Sequence, residues 1–174
     1  LQNEENRKEG IDAPPWVLCF VFERYVIRLS SQGRRRKTWK ELNRVRKDDN
    51  MTSNLKVLFV DDDVLMRRIM ELFLYGKVRA FLALGSAEEA LEHLKAESFD
   101  VVISDYVLPG MSGLAFLEHV GRIRPESMRI LVTGYGTREI EQEAEGIGVH
   151  AYLSKPFQGE QLKGILAQWE GVNR

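Results

Sequence analysis

The chain predicts an α/β domain built on a five-stranded, doubly wound parallel sheet over residues 55–171. Three observations carry this. Short apolar runs alternate with amphipathic helical stretches five times. The runs are continuously apolar rather than alternating, as in strands covered on both faces. Polar, chemistry-bearing residues stand just beyond four of the runs, and a parallel sheet brings all its strand C-terminal ends to one edge, where such sheets bind ligands.

Leu55–Val60 (LKVLFV) reads as the first strand and runs out into Asp61, Asp62 and Asp63. Leu65, Ile69, Leu72 and Phe73 then recur at helical spacing and predict the inward face of a helix. Lys77–Leu84 is a second, weaker strand whose register the preceding turn at Gly76-Lys77 leaves open. Ser86-x-x-Glu89 is a capping box, with Ala87, Ala90, Leu91 and Leu94 as the inward stripe behind it. Val101–Ser104 is the third strand and delivers Asp105 to its tip. A loop with Pro109, Gly110 and Gly113 leads into a helix over Gly113–Ile123, stopped by Pro125. Met128–Val132 is the fourth strand, followed by Thr133. Thr137–Gly146 is a polar, Glu-rich helix, Val149–Leu153 a short fifth strand beginning near His150, and Lys155-Pro156 follows it. Leu162, Ile165, Leu166 and Trp169 mark the last helix.

Composition narrows the function. The 174 residues are 44% apolar and 29% charged with a formal net charge of −1, so the whole chain is no polycation made for nucleic acid. The charge is uneven, with 12 Lys/Arg against 8 Asp/Glu in residues 1–53 and 13 against 18 in residues 54–174. We therefore expect two regions: a basic N-terminal extension, 1–53, flexible or non-native, and the patterned α/β domain, 54–174, expected to accept a phosphoryl group rather than to act as an enzyme. The run 34–47 (RRRKTWKELNRVRK) is expected to be a solvated, mobile arm rather than a nucleic-acid or membrane contact. Residue 1 is Leu, and Met51 stands just before the patterned domain, so Met51 is expected to be the native start. Trp16–Leu29, the longest apolar stretch, carries Glu23, Arg24 and Arg28 and falls short of the ~20 residues that span a bilayer. The single Cys19 excludes an internal disulfide and fits a reducing, cytoplasmic compartment.

The strand tips define the chemistry. Asp61, Asp62, Asp105, Thr133 and Lys155 should converge on one edge. Two unit charges 4 Å apart repel by about 4 kcal/mol at an effective dielectric of 20, so three carboxylates call for a cation. Oxygen-only ligands with room for water suit Mg²⁺, or Mn²⁺ in its place. With Lys155 and Thr133 able to meet phosphoryl oxygens, the set looks built for a phosphoryl group on Asp105 as nucleophile. A lone Asp at a strand end is more often a helix cap; five suitable residues at the appropriate strand ends argue otherwise. His93, His119 and His150 form no metal set and are expected to be structural or exposed.

Residues 54–172 resemble the receiver domain of two-component response regulators. The matching pieces are VDDD at 60–63, SDYVLPGMSG at 104–113, LVTGYG at 131–136 and AYLSKPF at 151–157. The resemblance implies the flavodoxin-like receiver fold with strand order 2-1-3-4-5. It implies Asp105 as phosphoacceptor, Asp61 and Asp62 as the acidic pair, and Asp62, Asp105 and the Val107 backbone carbonyl as metal ligands. Thr133 would be the switch hydroxyl, Lys155 the phosphate-pairing lysine on an often cis bond to Pro156, and Tyr152 the switch aromatic. The donor would be a histidine kinase or histidine phosphotransfer protein, and the output a target protein read by the face of the fourth helix, fifth strand and last helix. Dimerisation through the last helices is left open. Only five residues follow Trp169, and residues 1–53 show no helix-turn-helix pattern, so a stand-alone, chemotaxis-regulator-like receiver without a DNA-binding domain is expected. Val107 and Tyr135 flank the path of an attacking water without an acid or amide to orient it, which predicts slow self-dephosphorylation. The enzyme alternative is a Mg-dependent haloacid-dehalogenase-like phosphohydrolase using Asp61 of Asp61-x-Asp63. Against it, no further acidic pair follows Lys155. A binding module without phosphorylation is the other alternative.

Overall fold

The computed structural model describes residues 53–172. The basic run 34–47, the stretch Trp16–Leu29, Cys19 and the start expected at Met51 lie outside the described residues. Five strands, β1 (Ser53–Val60), β2 (Val78–Leu84), β3 (Val101–Asp105), β4 (Met128–Thr133) and β5 (Ala151–Ser154), alternate with five helices. The helices are α1 (Val64–Leu74), α2 (Ala87–Ala96), α3 (Gly113–Ile123), α4 (Arg138–Gly146) and α5 (Gly159–Val172). All strand pairs are parallel and the order is β2-β1-β3-β4-β5.

Continuous apolar strands become a two-faced core because successive side chains point to opposite faces. Val57, Phe59, Val101, Ile103, Ile130 and Val132 meet Met70 and Leu74 of α1 and Leu162 and Leu166 of α5 on one face. Leu58, Val60, Val102 and Leu131 meet Ala87, Ala90 and Leu94 of α2 and Leu114, Phe116, Leu117 and Val120 of α3 on the other. The central strands β3 and β4 are buried at every position. The register of β2 is resolved: Lys56 to Val60 pair with Ala80 to Leu84, after an irregularity between Ser53 and Lys56.

Three expectations shift. The inward stripe of α1 is Met66, Ile69, Met70 and Leu74, while Leu65 and Leu72 are 41% and 53% exposed. Arg67, Arg68 and Glu71 make the polar side of the helix. Of the expected stripe, Ile69 is buried and Phe73 packs against the core, whereas Leu65 and Leu72 lie at the edge of the apolar arc and stay exposed. The fifth strand starts at Ala151, because the Val149 amide is still bonded to the Ala144 carbonyl at the end of α4. His150 therefore precedes the strand. It exchanges backbone contacts with Arg129, whose amide donates to His150 Nδ1 at 3.1 Å, and meets Trp169 edge-on at 5.1 Å. Burial, with the Arg129 charge adding to it, lowers the His150 pKa. Lys77 belongs to the turn before β2, its amide bonded to the Leu74 carbonyl.

Candidate functional site

The C-terminal edge of the sheet gathers the predicted residues by backbone construction. The Asp61 amide is bonded to the Leu84 carbonyl at 3.2 Å, which keeps the residue after β1 in line with β2. Its Oδ1 accepts the Asp63 amide at 2.9 Å. Asp63, the third acid, is a cap rather than a site group: its Oδ1 accepts the amides of Leu65 at 2.7 Å and Met66 at 3.4 Å at the start of α1. Asp105 ends β3, and its Oδ2 accepts the Val107 amide at 2.9 Å. The loop behind it is pinned by the Tyr106 amide on the Val132 carbonyl and the Gly113 amide on the Tyr106 carbonyl. Gly113 begins α3 against the Asp105 backbone, where a Cβ would lie 1.8 Å from the Asp105 carbonyl oxygen. Only glycine fits that approach.

Lys155 closes the site from the opposite side. Its amide is bonded to the Thr133 carbonyl at 2.6 Å and its bond to Pro156 is cis. Its Nζ lies 2.9 Å from Asp61 Oδ2 and 2.6 Å from Asp105 Oδ1, an ammonium shared by two buried carboxylates. Burial raises the Asp61 pKa, and Lys155 only partly offsets that. Burial alone would lower the Lys155 pKa, but Asp61 and Asp105 together carry it upward. Thr133 is fully buried at the end of β4, and its Oγ1 accepts the Tyr135 amide at 3.0 Å.

Asp61, Asp105 and Lys155 are thus brought into contact, with Thr133 tied to Lys155 through the backbone. Asp62 stands exposed at the rim, and no three His, Cys, Asp or Glu side chains gather as a metal cluster among the described residues. The donor set nevertheless fits a divalent cation. Asp61, Asp62 and Asp105 carry three negative formal charges against one positive on Lys155, and all donors are oxygens. Val107 and Tyr135 are 52% and 68% exposed beside the site. Tyr152 is half-buried, and its hydroxyl is buried with no hydrogen-bond partner among the described residues. Its pKa is raised by burial and by the charge of Glu141 on α4.

Two contacts went unread in the sequence. Arg67 Nη1 donates to the Asp61 carbonyl at 2.6 Å, and Glu88 Oε1 accepts the Met111 amide at 3.3 Å in the loop after Asp105. Both partners are backbone groups, so no side-chain spacing signals either contact.

The profile of the response regulator receiver domain matches residues 57–167. The chain belongs to the receiver-domain family. It is 37% identical over 113 residues to the response regulator protein FleR of Pseudomonas aeruginosa, which covers 65% of this chain and 24% of FleR. It is 34% identical over 122 residues to chemotaxis protein CheY-3 of Vibrio cholerae, covering 65% of this chain and 89% of that protein. The solved structure of the chemotaxis response regulator CheY4 of Vibrio cholerae superposes with a TM-score of 0.62 at 28% identity, covering 67% of this chain and 99% of that one. The chain spans about a quarter of the length of FleR and of the next curated relative, a dicarboxylate transport regulator of Rhizobium meliloti. The strand order is the one this fold requires, and the phosphohydrolase alternative finds no support among these relatives. Receiver domains are signalling phosphoacceptors, generally Mg²⁺-dependent and supplied by a phosphodonor partner. No helix among the described residues is long and apolar enough to cross a membrane.

Proposed function

We propose that this receiver domain, residues 54–174, takes a phosphoryl group on Asp105 from a histidine kinase or histidine phosphotransfer protein. The observation that carries the reading is the Lys155 ammonium shared between buried Asp61 and Asp105 at the sheet edge. A carboxylate oxygen of Asp105 forms the new bond to phosphorus as the donor's P–N bond breaks, and the imidazole leaves with the electron pair. Lys155, already beside Asp105, neutralises one phosphoryl oxygen, and Thr133 donates to another after releasing the Tyr135 amide. Asp61, Asp62, Asp105 and the Val107 carbonyl would hold Mg²⁺, or Mn²⁺. The cation's chemistry is to offset the charge that builds on the phosphoryl oxygens.

The added phosphoryl group carries roughly −1.5 to −2 charges. Thr133 moves toward it, and Tyr152 follows into the vacated space. The unpartnered hydroxyl of Tyr152 supports such a poised residue, since an unsatisfied buried hydroxyl costs about 1–3 kcal/mol. The surface of α4, β5 and α5 then changes toward a target protein. Moving that equilibrium from 1:99 to 99:1 takes about 5.5 kcal/mol of differential stabilisation. The domain acts in the cytoplasm and self-dephosphorylates slowly, because exposed Val107 and Tyr135 offer an attacking water no orienting group. Dimerisation through the last helices is the remaining part of the reading.

Labelling with acetyl phosphate and Mg²⁺, read by intact mass, tests the assignment. The wild type gains one phosphoryl group, Asp105→Asn gains none, and Asp61→Asn is labelled slowly. Labelling that survives in Asp105→Asn and disappears in Asp61→Asn would overturn it. Val107→Asn is expected to shorten the life of the labelled form several-fold; an unchanged decay rate sinks the water-orientation argument.

A further inference from the structure

We infer that Arg67, seated over Gly85, is the positioning residue for the acidic turn Asp61–Asp62 and so for divalent-cation binding there. The inference rests on the site reading above. Arg67 lies in α1, whose side chains lean toward the helix N-terminus, so its long stem reaches back to the strand tips. Nη1 donates to the Asp61 carbonyl at 2.6 Å, a short charge-assisted bond. The guanidinium crosses Gly85, the residue after β2: a Cβ there would stand 3.2 Å from Nη1 and 3.5 Å from Cζ. The bare Gly85 backbone leaves the guanidinium room that a methyl group would narrow by a few tenths of an ångström.

The Asp61 residue is consequently held on both sides. Its amide is bonded to Leu84 at the end of β2, and its carbonyl to Arg67. The next backbone group is held too, because the Asp63 amide donates to Asp61 Oδ1 while the Asp63 carboxylate caps α1. Arg67 acts on the backbone and not on the carboxylate. The charges that bear on the Asp61 carboxyl are those of Lys155 and Asp105. An arginine directed at the carboxylate would compete with a metal for it. One directed at the carbonyl fixes the direction of Asp61 and Asp62 and leaves the site's negative charge in place. Outer partners of metal ligands typically control affinity by 10–100-fold.

The test titrates the full chain with MgCl₂ by isothermal calorimetry, beside thermal melts and acetyl-phosphate labelling. Arg67→Met keeps most of the stem and removes the donor; its Mg²⁺ Kd is expected to rise about tenfold or more. Its labelling rate should fall at low Mg²⁺ and recover at saturating Mg²⁺, a dependence that simple loss of stability does not produce. Gly85→Ala keeps the charge but sets a Cβ 3.2 Å from Nη1, which displaces the guanidinium by a few tenths of an ångström, and should shift the Kd the same way by a smaller factor. If Arg67→Met fails to fold, Gly85→Ala carries the test alone. Wild-type Mg²⁺ affinity in folded variants overturns the positioning role while leaving the site standing. A wild type that takes up no Mg²⁺ overturns the site reading, and this inference with it.

Discussion

Helices α3 and α4 follow the two strands that carry Asp105 and Thr133, yet they are built to opposite specifications. Helix α3 buries Leu114, Phe116, Leu117 and Val120, and its first residue, Gly113, is pressed onto the Asp105 carbonyl. At about 1.5–3 kcal/mol for each large apolar side chain removed from water, that face contributes roughly 6–12 kcal/mol. Helix α4 buries Ala144 alone and carries Glu139, Glu141, Glu143 and Glu145. Glu139 and Glu141 suit the positive end of the helix dipole; Glu143 and Glu145 oppose its negative end, with no basic residue in the last turn. Both helices have a side-chain cap, Ser112 and Thr137, so capping does not distinguish them. The difference lies in burial. The side next to Asp105 is fixed, and the side next to Thr133 and Tyr152 is lightly held; on the proposed reading, the lightly held side is the one that moves.

The contrast breaks first at Gly113. Gly113→Ala is expected to cost about 3 kcal/mol or more in urea denaturation, since α3 must lift off the Asp105 backbone to admit the methyl group. A loss under about 1 kcal/mol would mean that α3 is not seated rigidly. Core truncation gives the next largest contrast. Phe116→Ala in α3 should cost about 3–5 kcal/mol, and Ala144→Gly in α4 about 1 kcal/mol. Native-state hydrogen exchange should show the same order, with α4 amides less protected than α3 amides; equal protection would remove the distinction.

The smallest effect concerns the acid between the two sides. Burial raises the Asp61 pKa in the folded state, so the folded chain holds its proton more tightly than the unfolded one. Stability therefore falls as pH rises through the window between the ordinary carboxylate range and the raised value. Asp61→Asn should melt higher than wild type at pH 7, with Lys155 retaining Asp105 as partner, and the advantage should vanish below about pH 4. A variant that melts lower at pH 7 would show that the Lys155 pairing outweighs burial.

Much of this was legible from residues alone, for identifiable reasons. Strands buried on both faces write themselves as unbroken apolar runs, and Gly113–Ile123 was bounded correctly by its glycine and by Pro125. The meeting of Asp61, Asp105 and Lys155 was legible because a parallel sheet makes each strand end a point on one edge. The inward face of α1 was half legible. Ile69 and Phe73 face the core as expected, but the apolar arc is wider than the buried stripe, and Leu65 and Leu72 at its edge stay exposed. The start of β5 was missed because Val149 is apolar yet closes the turn after α4. Arg67 and Glu88 escaped notice for another reason. Their partners are the Asp61 carbonyl and the Met111 amide, and backbone groups leave no mark in a string of side chains. Asp62 illustrates the converse. The string put it at the strand tip with Asp61, and the fold leaves it at the rim.

The bridging ammonium of Lys155 gives the resting molecule a tethered competitor. With Nζ at 2.9 Å from Asp61 and 2.6 Å from Asp105, the chain supplies its own counter-ion at an effective concentration that a dilute free cation does not match. On the proposed reading, Asp61 and Asp105 would share their negative charge between this built-in ammonium and a cation. The lysine would stand beside Asp105 before any phosphoryl group arrives, so that the positive charge the incoming anion meets belongs to the chain itself.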